Sequence, residues 1–293
     1  MITRPRGPGP RSLAATLSEL TKFPISLVST LTAVTGFLAF RRDLPGRLAL
    51  VFLGTLLLAM GASVLNEAQE WKLDARMERT RYRPIPRGTV SPRAAALFAL
   101  ALGTMGLLAL RRAGGWLPAC LGLLAVAWYN GLYTPLKRFS AFAVVPGSLI
   151  GALPPAMGWT AAGGDLAAPP LLALCLLFFL WQVPHFWLLS LLHHAGYEEA
   201  GFPTLARHFD EPQILRLTFT WTCATVAACG LLAAFHTVTR QASLALLALA
   251  SLWLLARFTP LLRPPQGPPQ FRRAFMDINF YALLVMVAVA AGN

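Results

Sequence analysis

The chain has 293 residues, 56% of them hydrophobic and only 13% charged, with a mean hydropathy of +0.58. A soluble domain carries charge on roughly a quarter to a third of its surface, so this composition excludes a water-soluble globule. It indicates one all-α, polytopic membrane bundle spanning residues 1–293 as a single domain. The formal net charge of +13 does not indicate nucleic acid, because the basic residues lie in short turns between apolar runs rather than in one patch.

Nine apolar runs are long enough to cross a bilayer, where about 20 residues suffice. They fall at about 24–41, 48–66, 93–111, 115–134, 141–160, 168–192, 214–236, 242–262 and 274–291. The first follows a basic tail, residues 1–22, with Arg4, Arg6, Arg11 and Lys22. It is longer than a signal-peptide core and lacks a small-x-small cleavage site, so it reads as a helix. With nine crossings the termini lie on opposite sides, and 19 of the 25 Lys and Arg residues fall on the N-terminal side. That bias predicts a cytoplasmic N-terminus in an inner (plasma) membrane. Cys120, Cys175, Cys223 and Cys229 sit singly in apolar runs and read as buried thiols.

The segment after the second run is the most informative. Asn66, Glu70, Asp74 and Glu78 recur every fourth residue, one stripe on a helix. Like charges at this spacing destabilise a helix by a few tenths of a kcal/mol per pair. The pattern makes sense if a hard cation sits against it, and magnesium is commonly held by one or two carboxylates plus phosphate and water. A solvated helix end with Lys72, Arg76 and Arg79 as counter-ions would explain the acids equally well. The arginine run that follows, Arg79, Arg81, Arg83 and Arg87 stiffened by Pro84 and Pro86, makes the pair of features more specific, since guanidinium groups clamp phosphate oxygens bidentately.

Two later loops fall on the same predicted face. Tyr133-Thr-Pro-Leu-Lys-Arg138 brings Lys137 and Arg138, suited to complete a phosphate clamp or to set topology. After the sixth run come Trp181-Gln-Val-Pro-His-Phe186 and then His193 to Pro203, containing Glu198 and Glu199. His185 lies inside an aromatic apolar run, and an ionisable residue there is a functional candidate. His193 and His194 are adjacent, so their side chains diverge and a shared metal is not expected. The stretch 263–270 is Pro-rich and reads as a stiff connector without chemistry.

These motifs resemble the UbiA superfamily of membrane prenyltransferases, and within it the protoheme IX farnesyltransferases. The superfamily motif Asn-x3-Asp-x3-Asp is seen here as Asn66, Glu70 and Asp74. The heme branch is marked by Met77-x-Arg79-Thr80-x-x-Arg83-Pro84, the 133–138 loop, Gly151-Ala-Leu-Pro-Pro155 with Gly158-Trp159, and the 181–186 phrase, with Tyr197-x-x-Ala-Gly-Phe-Pro203. The resemblance implies a nine-helix bundle with a cytoplasmic active site and Mg2+ as cofactor. Farnesyl diphosphate and heme B would be the substrates, the lipid bilayer the setting, and heme A synthase or terminal oxidase assembly the destination of the product.

On that reading Asn66, Glu70 and Asp74 are the catalytic set, with Glu70 and Asp74 as metal ligands. Arg79, Arg83, Lys137 and Arg138 bind the diphosphate, and His185 contacts the heme. Two positions depart from the pattern. Glu70 stands where the family has Asp, and Ala195-Gly196 replace acids that precede the tyrosine of the second acidic loop, leaving Glu198 and Glu199 as substitutes for a second metal site. The rival readings are a transferase acting on another ring acceptor, a weakened member with a heme-handling role, and a transporter. Transport sites lie near the midplane, whereas these charges cluster at helix ends.

Overall fold

A computed structural model describes residues 12–199, 201–263 and 267–292, without the side chains of Ala195, Tyr197 and Glu199. Among these residues there is no β-strand, and eight helices are long and apolar enough to cross a membrane. A short N-terminal helix, α1 (Leu13–Leu20), precedes the first, α2 (Phe23–Phe40). Then come α3 (Pro45–Asp74) and α4 (Pro92–Gly114). The predicted crossing at 115–134 is a composite: α5 (Trp116–Val126) runs into a π-helix, Ala127–Tyr133, and ends in one turn, α6 (Thr134–Leu136).

The predicted 141–160 run is also divided. A 3-10 turn at Ala141–Ala143 and α7 (Val144–Gly147) lead through Ser148 into α8 (Leu149–Ala161). α9 (Pro169–Leu192), the short α10 (His194–Glu199), α11 (Glu211–Ala234), α12 (Gln241–Phe258) and α13 (Pro268–Ala291) complete the chain. Arg4, Arg6, Arg11 and part of the Pro-rich connector lie outside the described residues.

Two devices set the helix packing and the position of the site. α3 and α4 approach at Gly54 and Gly106, where a Cβ on either would press on the other's carbonyl oxygen, at 3.0 and 2.8 Å. Small residues are what allow such close backbone approach between membrane helices. Gly36 and Gly158 play the same part between α2 and α8, each lying against the opposite backbone.

The second device is length. α3 has 30 residues, so at 1.5 Å per residue it is about 45 Å long, against a hydrocarbon core of about 30 Å. Hydropathy alone predicts its end at residue 66. It continues to Asp74 because its polar last turns find partners on three other segments.

Candidate active site

The polar turns of α3 face inward. Asn66, Glu70 and Asp74 are all buried, at 3%, 5% and 6% relative exposure. Buried charge is costly unless paired and hydrogen-bonded, and here each group is. Asn66 Oδ1 accepts from Lys22 Nζ at 2.9 Å, and its Nδ2 donates to Glu70 Oε2 at 2.9 Å and to Thr134 Oγ1 at 3.1 Å. Glu70 Oε2 also accepts from Lys137 Nζ at 2.6 Å, with Arg138 Nε at 4.0 Å from Oε1. Asp74 Oδ2 accepts from Arg83 Nη1 at 2.7 Å.

Sequence reasoning placed Glu78 in the same stripe, and the structure corrects this. The helix stops at Asp74, where Thr80 Oγ1 donates to the Asp74 carbonyl at 2.9 Å and turns the chain. Glu78 points outward, 85% exposed, with Arg81 at 3.7 Å. The turn serves the site, because it carries Arg83 back to Asp74.

Two charged residues of the cluster were not among the expected site residues. Lys22 caps α2 in a left-handed conformation, φ 47°. Burial, with Arg83 and Lys137 nearby, lowers its ammonium pKa to about 7. Glu67, fully buried on α3, accepts the Ile85 N–H at 3.4 Å and so ties the arginine loop to the helix. The signal for Glu67 was present as a carboxylate three residues before Glu70. Its depth inside the protein is a tertiary fact. Lys22, Arg83, Lys137 and Arg138 thus face Glu67, Glu70 and Asp74 at one end of the bundle, and Arg83, Lys137 and Arg138 are the donors there suited to an anion.

The residues suit a divalent ion that arrives with its anion. Among the described residues no three His, Cys, Asp or Glu side chains are grouped to hold a metal by themselves. However, Glu70 Oε1 is buried with no hydrogen-bond donor, an acceptor left open beside Asp74 one turn on. Two carboxylates with phosphate and water completing the shell is the ordinary arrangement for magnesium.

The π-helix explains how Lys137 meets Glu70. π segments recur at functional sites; this one presents Asn130 to α3, and the turn it runs into presents Thr134 and Lys137. Asn130 Nδ2 donates to Ala62 O at 3.0 Å and Gln69 Oε1 at 3.2 Å, while Gln69 Nε2 donates back to Asn130 O at 3.2 Å. Arg138 Nη2 donates to Gln69 O at 3.2 Å. This amide exchange holds the two elements in register and was not legible beforehand, since a π-helix has no strong sequence signature.

Arg79 does not join the Asp74 pair. It is exposed and lies near His193, whose pKa is lowered by burial and then by that guanidinium. The second acidic loop therefore does reach this end of the bundle, and Phe202 packs with Met77 and Leu73. Glu198 is engaged locally, 3.5 Å from His194 Nε2 and accepting from Thr204 Oγ1 at 3.4 Å. The side chains of Glu199 and Ala195 lie outside what the structure describes.

His185 sits deeper, joined to the cluster by rings. Lys137 Nζ is 5.6 Å from the Tyr133 ring, Tyr133 is 6.0 Å from Phe186, and His185 stacks between Trp181 and Phe275 at 4.8 Å each. Its Nδ1 is buried without a hydrogen-bond partner. An apolar, aromatic wall thus leads from the charged rim into the bundle.

A helical membrane bundle with buried carboxylates and cations gathered at one end, beside an aromatic interior, is suited to an anionic ligand with an apolar body. The model of the UbiA prenyltransferase family matches residues 26–284. A protoheme IX farnesyltransferase of Oleidesulfovibrio alaskensis is 35% identical over 272 residues, 92% of this chain and 93% of that protein. One from Geobacter sulfurreducens is 46% identical over 180 residues, 61% of this chain and 66% of that protein.

Solved structures agree in fold. A digeranylgeranylglyceryl phosphate synthase superposes with TM-score 0.73 at 17% identity, covering 95% of this chain and 98% of that one. A UbiA homolog from Archaeoglobus fulgidus bound to GPP and Mg2+ superposes with TM-score 0.65 at 14% identity, covering 94% and 99%. The chain belongs to the UbiA prenyltransferase family. It is a multi-pass membrane prenyltransferase whose similar relatives are protoheme IX farnesyltransferases.

Proposed function

We propose that the protein transfers the farnesyl group of farnesyl diphosphate to a vinyl group of protoheme IX, with water completing the hydroxyethylfarnesyl side chain of heme O and diphosphate leaving. The observation that carries this reading is the meeting of Asn66, Glu70 and Asp74 with Lys22, Arg83 and Lys137, drawn from three other parts of the chain. Relatives bearing that activity support the choice of acceptor.

In this reading the diphosphate enters the cluster and takes Lys137, Arg138 and Arg83 as partners, with Arg79 above it. Drawing those cations onto phosphate oxygens frees Glu70 and Asp74 to hold Mg2+, and Asn66 steadies Glu70 from below. Bound Mg2+ supplies charge neutralisation for the departing diphosphate. The arginine and lysine donors stabilise the same developing charge, pre-aimed by their buried partners. The isoprenoid lies along the aromatic wall of Tyr133 and Phe186, where excluded water protects the allylic cation until the vinyl carbon attacks. His185 contacts the porphyrin, and Glu198 and Glu199 assist a second ion at the mouth.

The 19-to-6 partition of basic residues supports a plasma-membrane location with this mouth facing the cytoplasm, from where the product passes to heme A synthase or oxidase assembly. Expression in a host lacking its own heme O synthase, with extracted hemes analysed by mass, tests the reading. Heme O should accumulate. Its absence, or prenylation of a different ring, from a folded protein would refute the assignment.

A further inference from the structure

The face of α3 beside the carboxylate stripe carries a second set of charges that the diphosphate does not use. Gln69, Lys72, Leu73 and Arg76 recur at helical spacing over the last turn of α3 and the bend that follows. With Arg138 and Phe202 they line a groove of about 330 Å³. Lys72 and Arg76 are exposed, and among the described residues no carboxylate lies within ion-pair distance of either. The groove thus offers two uncompensated cations over an apolar floor of Leu73 and Phe202.

Its position matters as much as its charge. Phe202 also lies 5.8 Å from Lys137 Nζ, so one ring separates the groove from the diphosphate cluster. Arg138 stands on the same boundary, bonded to the Gln69 carbonyl and 4.0 Å from Glu70. The reaction brings together two anionic substrates. If the acceptor's carboxylates drew on Lys137 or Arg83, they would compete with the donor for the groups that bind it. A separate pair of cations removes that conflict.

We propose that this groove binds the carboxylate edge of the acceptor, with Lys72 and Arg76 as its ion-pair partners and Leu73 and Phe202 against the edge of the ring. This rests on the reading that the acceptor is protoheme. Protoheme carries its vinyl groups and its two propionates on opposite edges, so a vinyl held at the prenyl carbon directs the carboxylates outward. About 330 Å³ is at the small end of ligand sites, roughly 300–1,000 Å³. It accommodates one edge of a tetrapyrrole, while the remainder of the ring stays in the bundle. A lipid phosphate shares this anionic chemistry, and the experiment separates the two.

The test uses full-length protein in nanodiscs of neutral lipid and of neutral plus anionic lipid, comparing wild type with Lys72→Ala/Arg76→Ala. Both residues are exposed, and a detergent melting curve checks folding. The KM for heme B should rise about tenfold in both lipid compositions, with the KM for farnesyl diphosphate and saturating turnover held within twofold. Heme B dimethyl ester should show the raised KM with wild type and no further rise with the variant.

An unchanged heme KM overturns the proposal, as does an equal effect of the variant on acid and ester. An effect confined to anionic nanodiscs assigns the groove to lipid phosphate and also overturns it. If wild type forms no heme O, the functional reading fails separately. A Soret titration with hemin, weaker for the variant than for wild type, then still decides the groove.

Discussion

On α3, the Glu70 and Asp74 side chains are 6% and 8% exposed, and each is held by a cation from outside its own helix. On α10, Glu198 is 45% exposed and reaches only a histidine of its own helix and a nearby threonine. Both segments lie at the same mouth and both are acidic, yet their surroundings give the charges different force. Removing one partner of a buried pair leaves an uncompensated charge worth several kcal/mol, whereas an exposed pair contributes about 0–1 kcal/mol. The end of α3 therefore holds its carboxylates in fixed geometry, whereas Glu198 is held only by local contacts.

Breaking the buried side should produce the largest effect. Asp74→Ala removes an ion ligand and strands Arg83, and should lower heme O formation in membranes by roughly 10²–10³-fold, the loss typical of a transition-state electrostatic group. Near-normal turnover in properly folded protein would remove the metal assignment. Lys137→Ala deletes a charge-assisted bond of about 1.5–3 kcal/mol. It should cut kcat/KM for farnesyl diphosphate roughly 10- to 100-fold, and an unchanged value would take Lys137 out of the diphosphate site.

The amide exchange between the π-helix and α3 should matter less, because it acts through Lys137. Asn130→Ala forfeits neutral hydrogen bonds of about 1 kcal/mol and should lower kcat/KM for the same substrate about fivefold. Coupling is the sharper readout, since residues acting through one network are non-additive. Lys137→Ala should cost less in the Asn130→Ala background than in wild type, and a simple product of the two effects would refute the positioning role. Smallest of all, Glu198→Ala with Glu199→Ala should reduce magnesium-dependent turnover about twofold, in keeping with the exposure of Glu198. A loss as large as that of Asp74→Ala would erase the distinction between the two loops.

Much of this architecture was legible from residue patterns. Apolar run length anticipated the membrane bundle, and the spacing of Asn66, Glu70 and Asp74 anticipated one helical face. The arginine run reads as a phosphate clamp; in the structure one of its members, Arg83, is paired with Asp74. What misled was the tail of the pattern. Glu78 keeps the period but falls beyond the helix end, because Thr80 bonds the Asp74 carbonyl and the turn is set by that contact.

Chain order and composition by themselves determined that helices span the bilayer and that charge collects at their ends, because unsatisfied backbone and unpaired charge are both expensive in hydrocarbon. Only the tertiary structure decided which cation meets which carboxylate. Lys22 reaching Asn66 across 44 positions and Lys137 reaching Glu70 across 67 are set by helix packing. The π-helix that aims Lys137, and the depth at which Glu67 lies, depend on neighbours far away in sequence, and local periodicity carries no information about them.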